Sequence, residues 1–375
     1  MTLPRTLPLY IARRFLAAVL VMLAALTLLV SLFDFVELLR RAAGRPEAGF
    51  AIVASIAGLR LPFVATQILP FAILLGGMLA FWRLARASEL IVARAAGISA
   101  FAFLAGPACV ALLLGTLAIL ALSPVSSAML ARAERLDATY LRAGGGVGAL
   151  AGGRLWVRQA DRAFDPAGVA IITGIPTRLL ASDRAADFRL WGVTIWRLSG
   201  ADRALQRIEA AEARLLPGRW ELSGAFVFAP GRQAGTPTPS LTIPTDLTPV
   251  RIENSFASPD TLSFWALPDF IAVLERAGFS ALRHRLQFQT MLATPLLAVA
   301  MALLAAGFAM RHSRQGGAAR AIGLGVAAGF GLFILDRITA EFGEAGTLPV
   351  WLAAWAPTAA GLLLAVSLLL HLEEG

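Results

Sequence analysis

Over most of this chain the hydrophobic positions show no periodicity; they run together. Charge-free apolar stretches cover 15–33, 61–82, most of the uncharged interval 95–130, 286–310, 321–335 and 345–370. An α-helix rises about 1.5 Å per residue, so about 20 apolar residues cross the roughly 30 Å of hydrocarbon in a bilayer. The pattern therefore predicts six transmembrane helices, of which 321–335 is the shortest. Pro62, Pro70 and the Gly76-Gly77 pair fall inside the second stretch, and Gly323, Gly325, Gly329 and Gly331 inside the fifth. Within lipid such residues let helices approach closely or bend against a neighbour, so these two spans are expected to face protein.

Between about 123 and 275 the pattern changes to short apolar runs punctuated by Gly, Pro and polar residues. The segments 153–158 and 187–198 read as strands by their period of two and their β-branched and aromatic content. A hairpin is predicted where 205–216 meets 220–228 through Pro217-Gly218-Arg219, and 241–247 reads as a further strand. Many short strands with regular turns point to a sandwich or jelly roll rather than a βαβ unit. Ser258-Pro259-Asp260 can cap a helix over 264–277 that leads back to the membrane, with Asp260, Asp269 and Glu275 as cap and solvated-face residues. The expected fold is six transmembrane α-helices with a β-jellyroll-like domain inserted between helices 3 and 4. Its parts are 1–125 (helices 1–3), 126–262 (the β-rich domain) and 263–375 (a connecting helix and helices 4–6).

Composition removes several functions. Hydrophobic residues make up 58% of the chain and charged ones only 15%, against about 25% charged in soluble domains. The net charge of +9 would suggest nucleic acid in a soluble protein; here much of the Arg flanks apolar stretches, and no nucleic-acid partner is expected. The chain contains no Lys, so all 33 basic residues are Arg. A P-loop needs its Lys on the nucleotide phosphates, and Schiff-base chemistry needs an amine, so neither is available. Cys109 is the single cysteine, and His284, His312 and His371 are scattered, which argues against a His/Cys metal site. No catalytic residue and no cofactor are expected in this chain.

Arg in short loops orients the spans. With the N-terminus inside, Arg5, Arg13, Arg14, Arg83, Arg86, Arg94, Arg311, Arg314 and Arg320 lie on the cytoplasmic side, against Arg40, Arg41, Arg45, Arg60 and Arg337 on the other. That count, nine against five, places both termini in the cytoplasm and the β-rich domain outside it. Arg40, Arg41, Arg45 and Arg60 then sit where the insertion rule disfavours them. A phosphate-bearing lipid would explain this, since the guanidinium fork grips phosphate bidentately; snorkelling at helix ends would also do so. Asp34 and Glu37 share that helix end and are spaced to pair with Arg on the next turn. The loop 83–99 has room for a short helix with Glu89 near its start and Gly97 near its end. It suits either the membrane surface or a partner's groove.

The strings Ser88-Glu89-Leu90-Ile91-Val92 and Ala95-Ala96-Gly97-Ile98-Ser99 resemble the coupling segment of the LptF/LptG (YjgP/YjgQ) permeases, which export lipopolysaccharide. The resemblance extends over 34–44, Leu69-Pro70-Phe71, Leu122-Ser123-Pro124, Leu335-Asp336 and Leu348-Pro349, and the end of span one looks more like the LptG branch. It implies the inner membrane of a Gram-negative bacterium and a heterodimer with a second permease. It also implies a dimeric cytoplasmic ATPase that uses ATP and Mg, and a membrane-anchored periplasmic LptC-like bridge. On that likeness Arg86, Ser88, Glu89, Leu90, Arg94 and Gly97 would meet the ATPase, and Arg40, Arg41, Arg45 and Arg60 would meet lipopolysaccharide phosphates. Asp34 departs from relatives that are basic there. Two other classes stay open on the residues alone: a lipid-modifying membrane enzyme, with Asp336 beside Arg337 as its candidate group, and an ATP-independent assembly scaffold.

Overall fold

The computed structural model describes residues 6–45, 48–86, 100–141, 148–151, 154–162, 164–178, 188–199, 203–230, 234–248, 252, 258–276, 279–311 and 318–373. The chain divides into a helical unit (1–141, 260–267 and 282–375) and a sheet unit (142–259 and 268–281). Six helices are long and apolar enough to cross a membrane. They are built from α1 (Thr6–Ala42), α2 (Phe50–Arg86), α3 (Ala100–Leu117) continued by α4 (Ser123–Leu136), α6 (Leu282–Arg311), α7 (Ala318–Glu344) and α8 (Val350–Glu373). At 37 residues, α1 and α2 are each about 55 Å long, well beyond the hydrocarbon thickness. The excess lies at their ends, where the arginines are. The helical unit runs past residue 125 to 141 because the amphipathic α4 extends the third span.

The third span is interrupted by π-turns at Ala118–Leu122 and Asp137–Leu141. Pro124 explains the first: it has no N–H to give the carbonyl of Leu120, so the ladder widens to reach round it. Trp265 donates its indole N–H to that Leu120 carbonyl at 3.3 Å, and the Phe264 N–H donates to the Ser123 hydroxyl at 2.9 Å. The chain returning from the sheet unit is thus fastened at the helical irregularity. The helix expected over 264–277 starts later, as α5 (Leu267–Arg276). Its entry is capped by the Ser263 hydroxyl, which accepts the Ala266 N–H at 3.2 Å, while Pro259–Thr261 forms a separate 3₁₀ turn.

The helices pack around α6, whose Ala298, Ala302, Ala305, Ala306 and Ala309 are buried together with Phe15 and Val19 of α1 and Ile73, Leu74 and Phe81 of α2. Alanines and glycines make this possible by letting backbones approach. A Cβ on Gly115 would lie 2.7 Å from the Pro295 Cα across the α3–α6 crossing. On α7 the expected glycine packing is confined to one stripe. Gly325 and Gly329 lie against Met78 and Leu74 of α2, whereas Gly323 and Gly331 meet nothing within 4 Å.

The sheet unit is a single antiparallel sheet of seven strands paired in chain order: β1 (Gly148–Ala151), β2 (Arg154–Ala160), β3 (Val169–Arg178), β4 (Phe188–Leu198), β5 (Ala204–Leu216), β6 (Arg219–Phe228) and β7 (Thr236–Pro244). Gly218, at φ +78°, closes the predicted β5–β6 hairpin. Connectivity is that of a meander, without the crossovers of two Greek keys, and the sheet rolls on itself. Gln159 on β2 donates to the Pro244 carbonyl at the end of β7 at 3.0 Å and accepts from the Thr245 hydroxyl at 2.6 Å. Inside the roll lie Leu155, Ile172, Leu190, Ile195, Ile208, Trp220 and Leu222, with Leu274 of α5 and Phe279 completing the core. Along β2 inward side chains alternate strictly with outward ones, as a half-buried sheet requires.

Candidate functional site

Where α1 ends and α2 begins, the chain gathers most of the charges that the spans otherwise exclude. Glu37 accepts from Arg40 Nε and Nη2 at 2.8 and 2.9 Å, and from Arg41 Nε at 3.1 Å, one turn further along the same helix. These side chains are well exposed, Arg40 at 77% and Arg41 at 47%, so the pairs stabilise little and both guanidiniums remain accessible. Arg45 follows in the α1–α2 connection, half-buried.

Arg60 is placed differently. It points from α2 towards α1, and its Nη1 donates to both carboxylate oxygens of Asp34 at 2.9 and 3.3 Å. Its Nη2 lies 4.0 Å from Oδ1 of Asp137, a fully buried carboxylate in the second π-turn. Leu38, Val53, Ile56, Ala133 and Leu141 form the apolar collar around this junction. The four arginines expected to act together therefore divide into an accessible group of Arg40, Arg41 and Arg45 and an inward Arg60 shared by two carboxylates. Glu37 pairs along its own helix as its spacing suggests, and Asp34 pairs instead across 26 residues. Asp137 was not foreseen. Position 137 falls in the 126–262 stretch that the sequence assigns to the β-rich domain, and only its burial marks it out.

At the other end of α2, Arg86 stacks over Trp82 at 5.0 Å. Ser88, Glu89, Leu90, Arg94 and Gly97 lie outside the described residues, so that end of the site rests on sequence alone. Near the start of α6, Gln287 donates to Asp260 at 3.0 Å and Arg283 pairs with Glu344 at 3.3 Å. Arg337 lies over the Phe333 ring at 5.4 Å. Among the described residues no cluster of three or more His, Cys, Asp or Glu is placed to hold a metal ion.

Burial pushes the Asp260 carboxyl above its ordinary 3.8, against the opposing pull of Arg283 and Arg337. A raised carboxyl contributes stability that is complete at pH below its unfolded value and is lost as pH rises through its folded one. Asp260→Asn retains an acceptor for Gln287 and removes the ionisation. It should therefore raise the melting temperature at pH 8 while leaving it nearly unchanged at pH 4, which a pair of thermal melts in detergent would check.

A family model, "Lipopolysaccharide export system permease LptF/LptG", matches residues 9–371. The chain is also 26% identical over 371 residues to the lipopolysaccharide export system permease protein LptG of Escherichia coli K12, covering 96% of this chain and 97% of that protein. The LptG of Escherichia coli O6:H1 matches equally. A match over almost the whole length accounts for the six spans and the strand-rich insert together, and by it the chain belongs to the LptF/LptG family of lipopolysaccharide export permeases.

Proposed function

We propose that this chain is one permease subunit of an ABC-type transporter that extracts lipopolysaccharide from the inner membrane and passes it to a periplasmic bridge. The observation that carries the reading is the family match from residue 9 to 371; the arginine cluster and the rolled sheet give it a physical basis. Removing an acyl chain from the bilayer costs about 0.8 kcal/mol per methylene, so lifting a lipid with several chains requires an external source of work. A chain without Lys has no P-loop, and a dimeric cytoplasmic ATPase supplies that work. The remaining partners are a second LptF/LptG-type permease and a membrane-anchored LptC-like bridge. Both termini are cytoplasmic and the sheet unit is periplasmic, so that Arg40, Arg41 and Arg45 face the side on which phosphorylated sugars arrive.

In this reading Glu89, with Arg86, Ser88, Leu90, Arg94 and Gly97, docks in the ATPase groove. Glu89→Lys is expected to reduce recovery of the ATPase in a detergent pull-down at least about tenfold, equivalent to about 1.4 kcal/mol; full recovery would remove the docking assignment. Arg40→Glu with Arg41→Glu is expected to lower photo-crosslinking of lipopolysaccharide to the α1–α2 end severalfold. Crosslinking at the unmutated level would remove the phosphate-contact assignment.

A further inference from the structure

Arg60 is the one arginine of the cluster that the fold binds in place twice, by Asp34 of α1 and by Asp137 at the end of the third span. Only 19% of the Arg60 side chain and 29% of the Asp34 side chain are exposed, and Asp137 is completely covered. Fully ionised, the three groups carry one excess negative charge. Buried ion pairs seldom stabilise more than an apolar replacement would; their best-attested use is to fix a register or to switch. What this one fixes is α1. Between Val19 and Leu38 that helix has no buried residue. It is gripped at one end by Phe15 and Val19 against Gly76 and Gly77, and at the other by the Asp34–Arg60 pair and its apolar collar. Arg60 is largely buried, and a largely buried charge needs a paired counter-charge, so a group that takes the place of Asp34 on it is itself anionic. Phosphate qualifies, since the guanidinium fork accepts it as readily as carboxylate.

We propose that Asp34, Arg60 and Asp137 form a charge-exchange latch. A phosphate carried on a lipid headgroup past Arg40, Arg41 and Arg45 takes over Arg60, and the freed Asp34 lets the 20–42 half of α1 move away from α2. Asp137 stays beside Arg60 throughout and weakens its hold on the phosphate, so that the ligand can leave and the latch can close again. Arg60 is thus a positioning residue for α1 as well as a transient phosphate contact. This deepens the export reading and rests on it.

The test uses the full chain with its co-purified partners in nanodiscs, carrying Cys109→Ala and spin labels at Phe33→Cys and Leu61→Cys. Phe33 and Leu61 are exposed positions on α1 and α2. Bisphosphorylated lipid A is expected to add a longer-distance population to the spin–spin distribution; the dephosphorylated lipid and inorganic phosphate are expected to leave it unchanged. Asp34→Asn should show the long population with no lipid added. The triple replacement Asp34→Leu, Arg60→Met, Asp137→Leu should keep the short distance in every arm and lose lipid release more than tenfold. An equal response to inorganic phosphate overturns the lipid trigger, and wild-type release from the triple variant overturns the latch. An unchanged distance with crosslinking through Arg40 and Arg41 intact overturns the latch alone; loss of that crosslinking as well overturns the export reading with it.

Discussion

Arg60→Leu is expected to destabilise the helical unit by about 3 kcal/mol, whereas replacing the whole junction with Asp34→Leu, Arg60→Met and Asp137→Leu should cost less than about 1 kcal/mol. The asymmetry follows from what each change leaves behind. Removing Arg60 takes the guanidinium away from Asp137, which has no exposure to solvent, beside the collar of Leu38, Val53, Ile56, Ala133 and Leu141. Breaking a buried ion pair by removing one partner costs about 3–5 kcal/mol; the lower end applies because Asp34 retains 29% exposure and can still be hydrated. The triple replacement leaves no charge and fills the same space with hydrocarbon. Glu37→Ala serves as the control, since it removes three charge-assisted hydrogen bonds that are all on the exposed surface and should leave the unfolding midpoint in place. Thermal unfolding in detergent micelles, followed by near-ultraviolet circular dichroism, would separate the three cases. A single-site Arg60→Leu that melts with the unaltered protein would mean that the Arg60 pairs contribute nothing to the stability of the helical unit.

The helices were the legible part of the fold because a bilayer leaves the backbone little choice. All six apolar stretches became spans, including the short Gly-rich one, which α7 extends to Glu344 through residues that sequence counts as loop. The ends were less legible. The third span continues through α4, where polar residues on one face conceal a helix whose other face buries Ser126, Ser127, Leu130 and Ala133. The sheet was legible where turn chemistry was strong. Pro217-Gly218-Arg219 places β5 and β6 to within a residue, while β3 (Val169–Arg178) is hidden by the Gly174 and Pro176 inside it, which read as breakers although Asp165-Pro166-Ala167-Gly168 marks its start. The expected 241–247 strand pairs earlier, over Thr236–Pro244, because β6 sets its register from Arg219↔Pro244 to Val227↔Thr236.

In the site the same division holds between local and distant partners. Glu37 with Arg40 and Arg41 could be read from helical spacing alone, since three- and four-residue neighbours share a face. Asp34 offered that reading as well and went elsewhere, because on α1 it lies on the side turned to α2, where Arg60 is the partner. No pattern along the chain reports that an acid at 34, a base at 60 and an acid at 137 converge. Such a constellation is set by helix packing and not by periodicity.

Gly76 should be the position on α2 least able to accept a side chain. A Cβ there would lie 2.6 Å from the Val19 Cα, 2.9 Å from the Val19 nitrogen and 3.0 Å from the Ala18 carbonyl oxygen. All three are backbone atoms of α1, so no rotamer change can relieve them and α1 itself must shift. In a packed interior such overfilling costs about 1–3 kcal/mol for a small addition, while Gly→Ala within a helix gains about 1 kcal/mol in propensity. The clash is against backbone and wins: Gly76→Ala is expected to be net destabilising by up to about 2 kcal/mol, and Gly76→Val, with two further methyls and a stiff χ1, by about 3 kcal/mol or more. Gly331→Ala reverses the sign, because nothing lies within 4 Å of its added Cβ and only the propensity gain of up to about 1 kcal/mol remains. The same one-carbon change thus reports backbone contact at one site and open surface at the other. Detergent melts of the two alanine variants that shifted in the same direction would show that α1 and α2 do not touch at Gly76, and without that contact α1 would have no near grip for the junction at Arg60 to oppose.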